Sequence, residues 1–216
     1  LSIETSCDET AVSLLSITGN ANSPRIKTLG NALFSQSKLH EKYGGVYPNL
    51  ARREHGRNLV PLFREVLKQG FGMTNFQALR LRRSFFGQAK NKQAPNHKIE
   101  KNRKILEREP ELLKQFLEFV PNIKKPKIDV IAVTTGPGLE PALWVGISFA
   151  KALGEFWDTP VVPINHMEGH IFSVLADRKE LSMNNEQFTN KKLQRKNKAH
   201  SLKLTARSSI KYPLMA

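Results

Sequence analysis

The sequence predicts an α/β fold, and three stretches predict it. "LSIETSCDETAVSLLSI" reads as strand, tight loop, strand. "IDVIAVTTGPGLEPALWVGISFAKALGEFW" reads as a buried strand, a Gly/Pro turn and an apolar helix. "TPVVPIN" is a second short apolar strand with helix-compatible sequence after it. Strand, helix, strand, helix in succession calls for a parallel pair, while the N-terminal ribbon calls for antiparallel neighbours.

Taken in order, the first strand is "LSIET", and "SCDET" is a turn rich in small and polar residues. "AVSLLSI" returns as the second strand. "GNANSPR" is another turn, and Ile26 to Ser35 forms a third strand. Beyond the "YGGVYP" loop, Leu50, Leu59, Leu62, Phe63, Val66 and Leu67 recur at helical spacing over 49–68, with Pro61 expected to kink that helix or mark a local start. Residues 70–127 are too long for an ordinary connection of about 4–6 residues and are expected to be an insertion. In its second half, Leu112, Leu113, Phe116, Leu117 and Val120 make one apolar helical side. The strand of "IDVIAVTT", the helix of residues 142–157, the strand of "TPVVPIN" and a helix from His166 complete the lobe, placed at 1–176. Residues 177–216 are a basic polar segment.

The chain has 216 residues, 39% of them hydrophobic, enough for one good core. No apolar run approaches the roughly 20 residues that cross a bilayer, and the N-terminus lacks the pattern of a secretory signal. No membrane association is expected. The single cysteine, Cys7, leaves no internal disulfide and fits a reducing compartment, so a cytoplasmic location is expected. The net charge of +15 is unevenly spread: 70–127 carries +9, 177–216 carries +7, and the remainder nets −1. In the first basic segment Arg80, Arg82, Arg83, Lys90 and Lys92 accompany Phe85 and Phe86. That is either a solvated charge run or a surface for phosphates and bases.

Three motifs bear on chemistry. In "IETSCDET", backbone N–H groups and short hydroxyls can receive a phosphate, and Asp8 or Glu9 can hold a metal-bound water or a nucleotide group; a plain polar turn is the competing reading. In "TTGPGLEPAL", Gly136 and Gly138 permit close approach at a helix N-terminus, but neither the P-loop nor the dinucleotide spacing is present. In "NHMEGH", His166 and His170 at i and i+4 share one helix face and can hold one metal ion. The metalloprotease order H-E-x-x-H puts its glutamate next to the first histidine. Here Glu168 stands two residues on, about 200° around the helix, so a protease mechanism is disfavoured. Two histidines are fewer than a mononuclear site normally uses, and His40 and His55 join them only if the fold allows it.

Together "IETSCDET", "LHEKYGGVYPNLARREHGRNLVPL", "IDVIAVTTGPGLEPALWVGISFAKAL" and "NHMEGH", in this order, resemble the tRNA N6-adenosine threonylcarbamoyltransferase family, formerly described as O-sialoglycoprotein endopeptidases. The resemblance covers 1–68 and 128–176. It implies a ribonuclease-H-like lobe of the actin, sugar kinase and Hsp70 (ASKHA) superfamily. It also implies transfer of threonylcarbamoyl from threonylcarbamoyl-adenylate (threonylcarbamoyl-AMP) to N6 of adenosine 37 in tRNAs reading codons that begin with A. His166 and His170 match the family's metal-binding histidines, for iron or zinc. Asp8 and Glu9 match its cleft acids, and Gly136 and Gly138 lie on a loop facing the cleft. The implied partners are tRNA, a catalytically silent paralogue of the same fold and a small P-loop ATPase. The family continues into a nucleotide loop and a second lobe with a third metal ligand, an aspartate, so this chain is expected to be an N-terminal fragment with the second lobe missing. The alternative is a non-catalytic fragment that binds tRNA or a partner.

Overall fold

A computed structural model describes residues 1–20, 23–72 and 96–173. Its five-stranded sheet has the order β3-β2-β1-β4-β5, from β1 (Ser2–Glu4), β2 (Glu9–Asn20), β3 (Ser23–Ser35), β4 (Ile131–Gly136) and β5 (Val161–Asn165). β1–β2 and β2–β3 are antiparallel, and β1–β4 and β4–β5 are parallel. This is the order expected of a ribonuclease-H-like lobe. β1, β3, β4 and β5 therefore all run the same way, and Glu4, Ser35, Gly136 and Asn165 end together at one edge of the sheet. The chain leaves β1 towards β2 on one side, and β4 pairs β1 on the other. That change of direction is where open α/β sheets place their ligands.

The helices are α1 (Ser37–His40), α2 (Pro48–Phe71), α3 (Asn96–Ile105), α4 (Pro110–Phe119), α5 (Glu140–Trp157) and α6 (His166–Phe172). Strand alternation decides which face they cover. Leu1, Ile3, Val12, Leu14, Ile131 and Val133 are buried beneath α2 and α5, whereas Ser2, Glu4, Ala11, Ser13 and Ala132 on the other face are only half-buried.

Two results differ from the sequence expectation. α2 runs from Pro48 to Phe71 through Pro61, so no helix starts at that residue. A proline has no N–H to give the carbonyl four residues back, here that of Arg57. The Gln115 side chain on α4 donates to that oxygen instead, at 3.3 Å, and satisfies the carbonyl that Pro61 leaves without its helical donor. Second, the described part of the expected insertion is core. Leu106, Leu112, Phe116 and Val120 are fully buried in the same cluster as α2 and α5, and Arg52 on α2 pairs with Glu109 at 2.6 Å. The apolar side read from the sequence is real, and its partner is the lobe itself. Arg80, Arg82, Arg83, Phe85, Phe86, Lys90 and Lys92, and the segment 177–216, lie outside the described residues.

No described helix is long and apolar enough to cross a membrane.

Candidate functional site

Asn165 ends β5 and caps α6: its side-chain oxygen accepts from the backbone N–H of Met167 at 2.8 Å and of Glu168 at 3.3 Å. The cap fixes the first turn, so His166 and His170 project side by side from it. Their Nε2 atoms stand 3.0 Å apart.

Behind His166 is a polar cradle from the ends of β1 and β4. Its Nδ1 lies 3.2 Å from Glu4 Oε2 and 3.2 Å from Ser6 Oγ. Thr134 Oγ1 donates to the same Glu4 oxygen, and the Ser6 backbone N–H donates to the other, each at 2.5 Å. Burial pushes the Glu4 carboxyl up, but the hydrogen bonds from Thr134, Ser6 and His166 together outweigh it and hold the pKa below the usual carboxylate value. An ionised Glu4 takes the N–H of His166 at Nδ1, which leaves the Nε2 lone pair pointing at His170. A carboxylate behind a histidine in this way fixes tautomer and ring orientation at metal sites. Two imidazole nitrogens at this separation need a proton or a cation between them. One ion about 2.0–2.1 Å from each nitrogen can span the gap, so the pair fits the divalent metal that the resemblance implies. Among the described residues no group of three or more His, Cys, Asp and Glu side chains converges.

The other expected residues fall into place differently. Glu168 is exposed, and no hydrogen bond joins its carboxylate to either ring, as its rotation around the helix requires. Asp8 is half-buried and Glu9, exposed, opens β2, both a few residues beyond Ser6. Neither hydrogen-bonds to the histidine pair. Gly138 meets the β1–β2 loop itself: a Cβ there would lie 2.6 Å from the Ser6 carbonyl oxygen, and the Leu139 N–H donates to that oxygen at 2.6 Å. Close approach between two loops explains this glycine. Gly146 does the same eight residues on, where a Cβ would lie 2.4 Å from Thr5 Oγ1.

His40 and His55 do not join the pair. His55 is fully buried, donates from Nε2 to the Cys7 carbonyl at 3.0 Å and accepts at Nδ1 from Thr10 Oγ1 at 2.8 Å. Gln36 bridges it to His40, whose Nδ1 accepts from the Tyr47 N–H at 3.2 Å. Each ring has one donating and one accepting nitrogen. Burial lowers the His55 pKa, against a smaller upward pull from the Cys7 carbonyl. Below its ordinary value of 6.5 the unfolded chain thus binds a proton that the folded one refuses. The stability owed to neutral His55 is complete above pH 6.5 and is lost as pH falls below it. The urea midpoint should drop on acidification through that window, and His55→Gln should flatten the dependence. An equal slope in both proteins would contradict this.

Sequence reasoning missed Glu4. Its one local cue is a carboxylate at the end of the first strand, and its use depends on Thr134 and His166, more than 100 residues away in sequence. A depression of about 180 Å³ lined by Glu4, Ala11, Ser13, Thr134, Ile164 and Gly169 adjoins this cradle, on the half-buried face of the sheet. A larger one, about 460 Å³ between α3 and α5, is lined by Ile105, Lys151, Glu155 and Asp158 and by no residue of the cradle or the histidine pair.

Comparison with known proteins supports the motif reading. The profile of the tRNA N6-adenosine threonylcarbamoyltransferase family matches residues 27–78 and 100–184, which takes in both histidines, Thr134 and the core helix α4. A tRNA N6-adenosine threonylcarbamoyltransferase of Koribacter versatilis (strain Ellin345) is 34% identical over 188 residues, covering 87% of this chain and 34% of that protein. The chain thus spans about a third of the length of the curated relative it matches. With more than half its residues under the family profile, the chain belongs to the tRNA N6-adenosine threonylcarbamoyltransferases.

Proposed function

We propose that this lobe carries the metal-facing side of an acyl-transfer site that forms N6-threonylcarbamoyladenosine at position 37 of tRNAs reading codons that begin with A. In the reaction the adenosine N6 lone pair attacks the carbamoyl carbon of threonylcarbamoyl-adenylate, the bond to the phosphate oxygen breaks and AMP leaves. The N6 proton is released to a base. His166 and His170 hold a divalent ion, iron or zinc, and Glu4 keeps the His166 lone pair aimed at it. When bound, the ion supplies Lewis-acid polarisation of the acyl donor. Asp8 and Glu9 are the cleft acids, and Gly136 and Gly138 belong to the loop beside them. The working partners are tRNA, a silent paralogue of the same fold and a small P-loop ATPase, in the cytoplasm.

The observation that carries this reading is the 3.0 Å Nε2–Nε2 separation, backed by Glu4 at the carboxyl ends of β1 and β4. The test is to incubate the chain with tRNA, threonylcarbamoyl-AMP and the partner proteins and to measure the modified nucleoside by mass spectrometry. Product that disappears in His166→Ala supports the reading. The second reading, a non-catalytic fragment that binds tRNA or a partner, is favoured by the convergence of two ligands where a mononuclear site normally uses three or more. It predicts tRNA binding without product; absence of both product and binding would contradict both readings.

A further inference from the structure

Past the carboxyl end of β3, at the same sheet edge as the histidine pair, two tyrosines lie in the open. Tyr43 is 55% and Tyr47 52% exposed. Their rings stack with centroids 5.7 Å apart and planes 26° from parallel, and the Lys42 ammonium sits 5.0 Å from the Tyr43 centroid. Scattered exposed apolar residues need no explanation, but two large rings held nearly parallel under a cation form an organised surface.

The backbone beneath them is fixed from below. Tyr43 closes a 3-10 turn (Glu41–Tyr43), and Gly44 follows at φ 70, the left-handed conformation that ends it. Tyr47 occupies the N-cap of α2, where Ser, Asp or Asn would normally satisfy the first N–H groups, and its side chain makes no cap hydrogen bond. Its own N–H is held by buried His40, and through Gln36 and His55 that network reaches the Cys7 carbonyl, next to the Ser6 that touches His166. The Tyr47 side chain therefore does not cap the helix, and it stands on backbone tied to the candidate site.

We infer that the Tyr43–Tyr47 stack is a base-stacking platform for single-stranded RNA, with Lys42 taking a phosphate of the same strand. Aromatic faces beside cations hold unpaired bases with little regard to sequence, while a duplex hides those faces. The local charge agrees: within 38–53, Lys38, Lys42 and Arg53 are exposed and Glu41 is the one exposed acid. The inference rests on the RNA-directed function proposed above and names the surface that grips an unpaired loop.

Fluorescence anisotropy of the full chain with a labelled single-stranded RNA of mixed sequence, and with the same strand in a duplex, tests it. All variants keep the basic segments, so their contribution cancels. Tyr43→Ala and Tyr47→Ala should each weaken single-strand binding roughly 5- to 150-fold, while Tyr→Phe at either position keeps it. Lys42→Ala should lower the slope of log affinity against log salt by about 0.7, and the tyrosine variants should leave that slope alone. Unchanged affinity in the double alanine variant overturns the platform while leaving the functional reading standing, and is the result expected if the tyrosines face a protein instead. Phenylalanine losing as much as alanine overturns it too, and a wild-type chain that binds no single-stranded RNA removes the platform.

Discussion

His166→Ala and His170→Ala are each expected to abolish stoichiometric binding of iron or zinc, read as metal content by mass spectrometry after gel filtration and as affinity in competition with a chromogenic chelator. The reason is geometric. With both rings the ion meets two nitrogens whose separation is set by a capped helix turn; with one it meets a single imidazole. Glu4→Gln should be intermediate. It keeps the shape of the cradle but removes the charge that assigns the His166 proton to Nδ1, and partners of this kind typically change metal affinity 10–100-fold. Glu168→Gln should change nothing, because that carboxylate bonds to neither ring. A metal content that survives both histidine substitutions would sink the assignment. So would a Glu168 effect as large as that of Glu4, since it would bring the protease-like arrangement back.

The histidine pair could be read from the sequence because it depends on one helical turn, and i, i+4 spacing is a property of local geometry. Strands β1 to β5 were legible for a similar reason: β-branched and aliphatic runs between turn-forming clusters have few other uses. What depended on distant partners was not legible. Pro61 argued for a kink or a local start in α2, and nothing near it in sequence reveals that Gln115 supplies the missing donor. The length of 70–127 argued for an insertion, yet the apolar side of α4 is buried against α2 and α5. Glu4 looked like the end of a strand until Thr134 and His166 came beside it. Gly138 was legible as a glycine that something approaches closely; that the approaching group is Ser6 follows only from the fold.

Phe63→Ala should be the most damaging core substitution, because this side chain joins three helices. The ring is fully buried on α2 and meets Phe119 of α4 at 6.0 Å, Phe149 of α5 at 5.8 Å and Trp157 at the end of α5 at 5.8 Å. The first two contacts are edge-to-face, with planes 81° and 79° apart, the arrangement that aromatic quadrupoles favour. Truncation removes the buried ring and leaves a cavity among rigid aromatic neighbours that cannot collapse into it, so a loss of about 3–5 kcal/mol is expected in urea unfolding. Against a total of roughly 5–15 kcal/mol for a domain, that is enough to leave the chain marginal. Phe63→Leu should cost less because it refills part of the space. The decisive comparison is the double-mutant cycle with Phe119→Ala, in which coupling of about 0.5–1.5 kcal/mol is expected beyond the single losses. That coupling is a direct measure of whether α4 folds as part of the lobe. Strict additivity, or a Phe119→Ala effect close to zero, would mean that the helix docks on a core complete without it, and the residues after 96 would then behave as the insertion that their distance from α2 suggests.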